Sequence, residues 1–331
     1  MNAMQWIRHA RLTLLCLFAF TVSALADPVA WRGQGWTTDF SNHTIDFREI
    51  LSGGPPKDGI PSIDDPQFLP VSEITDLDAR EPVMSLDIAG DARAYPLRIL
   101  MWHEIVNDTV GGRPVVVTYC PLCNAALVFD RVIDGEPDTF GTTGKLRNSD
   151  LVMYDRRTES WWQQFTGEAI VGAKTGDTLA MIPSRLEAFE RFKARYPDGK
   201  VLVPNNPAMR NYGANPYRGY DTMDRPFLFT GALPPDIHPM ARVVVVREGG
   251  EPVVVSMLKV REEGPLTRNG VTISWEAGQA SALDSGVIAR GRDVGNIVVQ
   301  KDDKDIVHDV TFAFVAHAFL PDAPIEKAAG E

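Results

Sequence analysis

Short apolar runs broken by turn formers constrain this chain more than any other feature. Between residues 138 and 174 the segments DTFGTTG, SDLVMYD, ESWWQQF and EAIVGAK follow one another across Gly and Asp turns. Runs of that length, rich in aromatic and β-branched residues, are strands of an antiparallel meander. The same rhythm occurs upstream in PVMSLDIAGDARAYPL, around Ala89-Gly90-Asp91, and downstream in RVVVVREGGEPVVVSMLKV, around Gly249-Gly250. The expected fold is α+β, predominantly antiparallel β with a few short helices. The C-terminal third is expected to be all-β, ending in DVTFAFVAHAFLP, and no internal repeat is read.

Two helices interrupt the strands. PLRILMWHEIVND, residues 96–108, opens with Pro96 in a position that suits a first helical turn and sets Leu97, Leu100, Met101 and Ile105 on one face. On a helix, His103 and Asn107 share a neighbouring face. The second helix is expected in PSRLEAFERFKARYPDG, with Ser184 and Glu187 as a capping box and Pro197-Asp198-Gly199 as its end. Residues 27–204 form the main β-rich domain, whose first part, to about Ala79, is so rich in turn formers that it must wrap a surface. Residues 205–227 form a long irregular connection, and 228–331 a C-terminal β-rich region that can belong to the same domain. Loops as long as 205–227 are seldom idle, so this one is expected to cover a mouth of the site or to join the two β regions.

Residues 1–26 read as a secretory signal peptide: Arg8 and Arg11 form a basic start, LTLLCLFAFTV an apolar core, and Ala24-Leu25-Ala26 a cleavage signal. Cleavage near Ala26 would deliver a soluble periplasmic or secreted protein, with no later segment apolar enough to span a membrane. Cys16 would leave with the leader. The formal charge then moves from −11 to −13, because Arg8 and Arg11 go. That sign disfavours nucleic acid and anionic membrane surfaces as partners; no protein partner and no oligomeric state can be read.

The remaining cysteines, Cys120 and Cys123, form a CPLC turn between the strands RPVVVTYC and AALVFDRVIDG. Three readings compete. A metal knuckle is placed first: the turn, followed by Asn124, which tolerates positive φ, lets two thiolates converge on one ion. A third ligand must come from elsewhere, and His103 is chosen because its helix leads by a short turn into the strand that ends at Cys120. Thiolates plus an imidazole favour copper, as Cu(I), and then zinc. A thiol–disulfide couple, with Cys120 as nucleophile and Cys123 as resolving thiol, comes second, since the helix that usually follows such a pair is missing. A structural disulfide comes third, because so short a loop stabilises little.

DGIPSIDDPQF, ARAYPLRILMWHEIVND, VTYCPLCNAALVFDR, FGTTGKLRNSDLVMYDRRTESWWQQFTGEAIVG and YPDGKVLVP occur in that order. Together they resemble the bacterial family known as domain of unknown function 3179, closely over residues 58–204 and more loosely beyond. The resemblance implies a domain and an exported setting, not a reaction. It groups the HEIVND and YCPLC motifs, in keeping with a site of His103, Cys120 and Cys123. Glu104, Asn107, Lys145, Asp150, Gln164 and Tyr217 are candidate pocket residues around it, while His317, in the drifted ending FAFVAHAFLP, has no assigned role.

Other motifs fall away. GTTGK has two residues between its glycines where a phosphate loop has four, and Leu146 where it has Ser or Thr, so it is read as a turn and no nucleotide cofactor is expected. His103-Glu104 lacks a zinc protease's second histidine, and there is no G-x-S-x-G elbow. Trp161, Trp162 and Phe165 are read as core. The leading function is thiophilic metal binding by Cys120, Cys123 and His103, with enzymatic activity open. The alternatives are a periplasmic thiol oxidoreductase, or a binding module using Tyr212, Tyr217 and Tyr220.

Overall fold

A computed structural model describes residues 27–247 and 250–331. The expected leader and Gly249 of the second hairpin lie outside the described residues. The chain opens with α1 (Pro28–Gly33), capped by Asp27, followed by β1 (Ile50–Ser52) and β2 (Gln67–Pro70). The hairpin β3 (Pro82–Ile88) and β4 (Asp91–Pro96) runs straight into α2 (Leu97–His103). A three-stranded antiparallel sheet comes next: β5 (Ile105–Val110), β6 (Arg113–Cys120) and β7 (Ala125–Asp130). The small ribbon β8 (Val132–Ile133) and β9 (Glu136–Pro137) leads to the meander β10 (Phe140–Arg147), β11 (Asp150–Asp155), β12 (Trp161–Gln163) and β13 (Ala169–Val171), with β1 on the edge at β10. Then β14 (Arg185–Ala188), α3 (Phe189–Arg195) and β15 (Lys200–Val203) return to the first sheet, whose order is β14-β3-β4-β15-β2.

Beyond a connection with one short 3-10 turn, β16 (Arg242–Val246) and β17 (Val253–Ser256) form another hairpin that runs into α4 (Met257–Glu263). After these come β18 (Leu266–Arg268), β19 (Val271–Glu276), β20 (Asn296–Lys301) and β21 (Lys304–Asp305) in one sheet. The last elements are β22 (His308–Phe312), α5 (Ala313–Phe319) and β23 (Ile325–Glu326), and the sheet order is β22-β16-β17-β23. The fold is α+β and mainly antiparallel β, as expected.

An internal repeat, not read in the sequence, organises it. In both halves a hairpin is flanked by an antiparallel strand on one side and a parallel one on the other: β14 and β15 around β3–β4, β22 and β23 around β16–β17. In both, a seven-residue helix follows the hairpin and another joins the flanking strands. The halves also interlock, with β22 packed on β7 and β14 on β20. Asn124 Nδ2 donates to Val310 O at 3.1 Å, and Asn296 Oδ1 accepts from Ala188 N at 2.7 Å. One core cluster runs through both halves. The meander β10–β13 is an insertion in the first half alone.

Several local expectations are corrected. The helix expected over 96–108 ends at His103, because Ile105–Val110 pairs residue by residue with β6 through the Gly111-Gly112 turn. Asn107 therefore lies on a strand and shares no helix face with His103. No Ser184–Glu187 capping box forms: Arg185–Ala188 pairs with β3, and Glu187 accepts from Ser85 Oγ in the interior. Tertiary pairing has overridden helix propensity there. The C-terminal third is not all-β, since α4 begins at the Ser256 cap and α5 in an alanine-rich run. GTTGK is not a turn but part of β10, with a bulge between Thr142 and Lys145. Gly144 has φ +68°, and a Cβ there would sit 1.9 Å from Pro55 O, so only glycine fits. Trp161, Trp162 and Phe165 are buried core, as read.

Candidate functional site

The valine run of β6 carries the chain to Cys120 in the interior, and β7 leaves from Ala125, so the cysteines occupy a strand-to-strand turn as expected. Cys123 N donates to Cys120 O and Asn124 N to Pro121 O, both at 3.2 Å. Asn124 takes φ +53°, the left-handed conformation that asparagine tolerates best after glycine. The turn is pinned from the other half: Cys123 O accepts from Phe312 N at 3.2 Å and from Thr311 Oγ1 at 2.8 Å.

The inserted meander supplies the other wall. The β10–β11 turn, with Asn148 and Ser149 both at positive φ, aims Ser149 O at the thiols. The Sγ–H groups of Cys120 and Cys123 donate to it at 3.6 and 3.4 Å. The next residue, Asp150, begins β11 and completes a buried group in which Cys120 Sγ, Cys123 Sγ and an Asp150 oxygen lie within 4.8 Å of one another. Asp150 Oδ2 accepts from Gln163 Nε2 at 2.5 Å and from Phe165 N at 2.9 Å, but Oδ1 is buried with no hydrogen-bond partner. Both cysteines are free thiols.

Burial dominates the electrostatics. It lifts Cys123 well above the ordinary thiol range, helped by neighbouring Cys120, and it raises Cys120 as well. It pushes Asp150 up to about 6, against the hydrogen bond from Gln163, and Glu104 up to about 8, with the charge of Asp150 adding. Asp309, on β22, has neither oxygen hydrogen-bonded and is pushed up to about 7 by burial, with Arg247 opposing. The buried guanidinium of Arg247 is a positive charge facing Asp309 and Asp150, but burial outweighs it and both acids stay raised.

A cavity of about 320 Å³ opens beside the cluster, with Cys120, Glu104, Leu146, Leu151 and Tyr217 in its wall. Residues from Pro216 to Leu228 form a strap that lines one side of the cavity, and the connection they belong to runs between the two halves. Tyr220 Oη donates to Leu122 O at 2.9 Å and Ser149 Oγ to Phe227 O at 2.6 Å, tying the strap to the cysteine turn and to the meander wall.

The residues chosen from the sequence divide. Cys120, Cys123 and Asp150 come together, and Glu104 and Tyr217 face the cavity. His103 is not brought to the thiols. Its Nδ1 donates to Pro61 O at 2.8 Å, since a carbonyl can only accept, which leaves Nε2 to accept from Tyr212 Oη at 2.8 Å. The lone pair a metal would need is therefore used. Asn107 ties β5 to β10 through Phe140 N and O, and Gln164 props the turn from behind through Thr118 Oγ1 and Ala125 O. Lys145 borders the cavity, but its ammonium donates to Gln34 Oε1 at 3.1 Å. His317, on α5, is outside the clustered ligands. Ser149 and Asp309 were missed, and Tyr220 was named only for the binding-module alternative; only the turn-forming Asn148-Ser149 pair hinted at a hairpin tip there.

The sequence profile of the family described as "Protein of unknown function (DUF3179)" matches residues 57–323. The chain belongs to that family. The DUF3179 match contains the cysteine turn, the meander, the strap and nearly all of both topological halves. No curated protein and no solved structure matches the chain. Among the described residues of this DUF3179 protein no helix is long and apolar enough to cross a membrane.

Proposed function

We propose that this DUF3179 protein binds a thiophilic metal ion through Cys120, Cys123 and Asp150, with zinc favoured over copper. The observation that carries the reading is the convergence of three donors from two separate hairpins, one of them an unpartnered buried carboxylate oxygen. A cation there would offset the burial that raises all three groups, and binding would release their protons. An oxygen donor in place of the expected imidazole moves the preference from Cu(I) toward zinc. Three protein ligands leave a fourth position, as in zinc sites that hold water or a ligand. The thiol-exchange alternative is weakened by the burial of both sulfurs and by their raised pKa values, since exchange needs an accessible thiolate.

The reading is tested by titrating the reduced, metal-free protein with Zn(II) and Cu(I) against a competing chelator. Cys120→Ser, Cys123→Ser and Asp150→Asn should each weaken zinc binding by at least about tenfold, because a three-ligand site has no spare donor, while His103→Ala should not. A wild type that holds neither ion would overturn it. Export after cleavage near Ala26 is part of the proposal and rests on the pattern of residues 1–26 alone; N-terminal sequencing of protein from cell fractions tests it.

A further inference from the structure

We propose that the cavity beside Cys120 binds a small, mainly apolar molecule whose single polar end, a hydroxyl or ammonium, donates a hydrogen bond to Glu104. This adjoins the metal reading but does not rest on it. About 320 Å³ is roughly twice the volume of a cavity that holds benzene, so the space suits a compact molecule and not a peptide. Its walls are Ile60, Leu122, Leu146, Leu151 and, from the strap, Met223 and Phe227, which match an apolar body.

The polar end is set by Glu104. It is 9 % exposed, and none of the side-chain hydrogen bonds among the described residues involves its carboxylate. A glutamate at φ +59°, just after the last turn of α2, is held in a conformation that its Cβ disfavours. Strained backbone and an acid on the cavity wall whose carboxylate makes no side-chain hydrogen bond among the described residues are the marks of a residue kept for a ligand. Tyr217 faces the same space.

An anionic head is disfavoured. Above about pH 8, where Glu104 is ionised, it and the nearby Asp150 oppose such a head, and the cations at hand are elsewhere. The register sets Lys145 opposite Val152 and Leu146 opposite Leu151, so the Lys145 side chain leaves the sheet on the face away from the cavity, toward Gln34. Arg218 stands exposed at the rim.

The test is calorimetric titration of the full chain with hexan-1-ol, hexylammonium and hexanoate at about pH 9, where Glu104 is ionised and the amine still charged, in metal-free and zinc-loaded protein. Both donor-headed compounds should bind the metal-free protein, and hexanoate should bind about tenfold more weakly or worse. Glu104→Gln, which keeps size and an acceptor, should lower hexylammonium affinity about tenfold, spare hexan-1-ol and improve hexanoate. Leu146→Trp and, from the opposite wall, Met223→Trp should each abolish binding; the strap variant keeps the test open if the core variant fails to fold. No binding of either donor-headed compound, equal binding of hexanoate, or binding only when zinc is loaded would overturn the proposal. Failure of zinc to bind would overturn the metal reading and leave this one standing.

Discussion

Glu104 holds its proton far more tightly in the folded protein than in the unfolded chain, about 8 against an ordinary 4.5, because it is buried near Asp150. The contribution of such a group to stability is complete below about pH 4.5 and is lost as pH rises through 8. Metal-free wild type should therefore lose stability relative to Glu104→Gln between these limits, read as a gap between their melting temperatures that changes with pH. A gap constant across that range would show that Glu104 titrates normally. Asp150, pushed up to about 6, and the two raised thiols make zinc affinity itself climb with pH, since each must lose its proton to coordinate. Affinity measured from pH 6 to pH 8 should rise steeply, and more shallowly in Cys123→Ser, where one fewer proton is released.

At the scale of elements, the cysteine turn depends on Asn124 twice, for its positive φ and for its bond to Val310 O on β22. Asn124→Ala should destabilise the protein by about 2 kcal/mol, combining the left-handed backbone penalty with one lost hydrogen bond. Asn124→Gly should recover the backbone part, as urea denaturation of the three proteins will show. The strands around this turn were legible because Val115, Val116 and Val117 before it and Ala125–Phe129 after it suit only extended, buried chain. The helix boundaries were not. Ile105 continues the apolar stripe of α2 in sequence, and only pairing with Thr118 on β6 makes it a strand residue. That slip placed His103 beside Asn107 and toward the cysteines, whereas its ring turns to Pro61 and Tyr212. Asp150 was legible as a polar residue of a family-like motif, but its meeting with the thiols needs the β10–β11 hairpin to cross the turn, which no local pattern records.

For the whole molecule, the repeat escaped notice because VVVSMLKV and VTFAFVAH each hide a strand-to-helix switch inside a mostly apolar run. Interlocking follows from the exchange of outer strands: β22 rests on β7 next to the cysteine turn, and β14 on β20. The protein should therefore unfold as one cooperative unit. A fragment of residues 27–227 should show no cooperative thermal transition alone and regain one when co-expressed with 228–331. A cooperative transition in the fragment by itself would mean that the halves are independent.

X-ray absorption at the zinc edge of the loaded protein tests the central claim most directly. Coordination by Cys120, Cys123 and Asp150 predicts two sulfurs at about 2.3 Å and oxygen at about 2.0–2.2 Å, without the outer-shell scattering of an imidazole ring, and loss of one sulfur in Cys123→Ser. An all-oxygen shell, or an imidazole signal that disappears in His103→Ala, would contradict it.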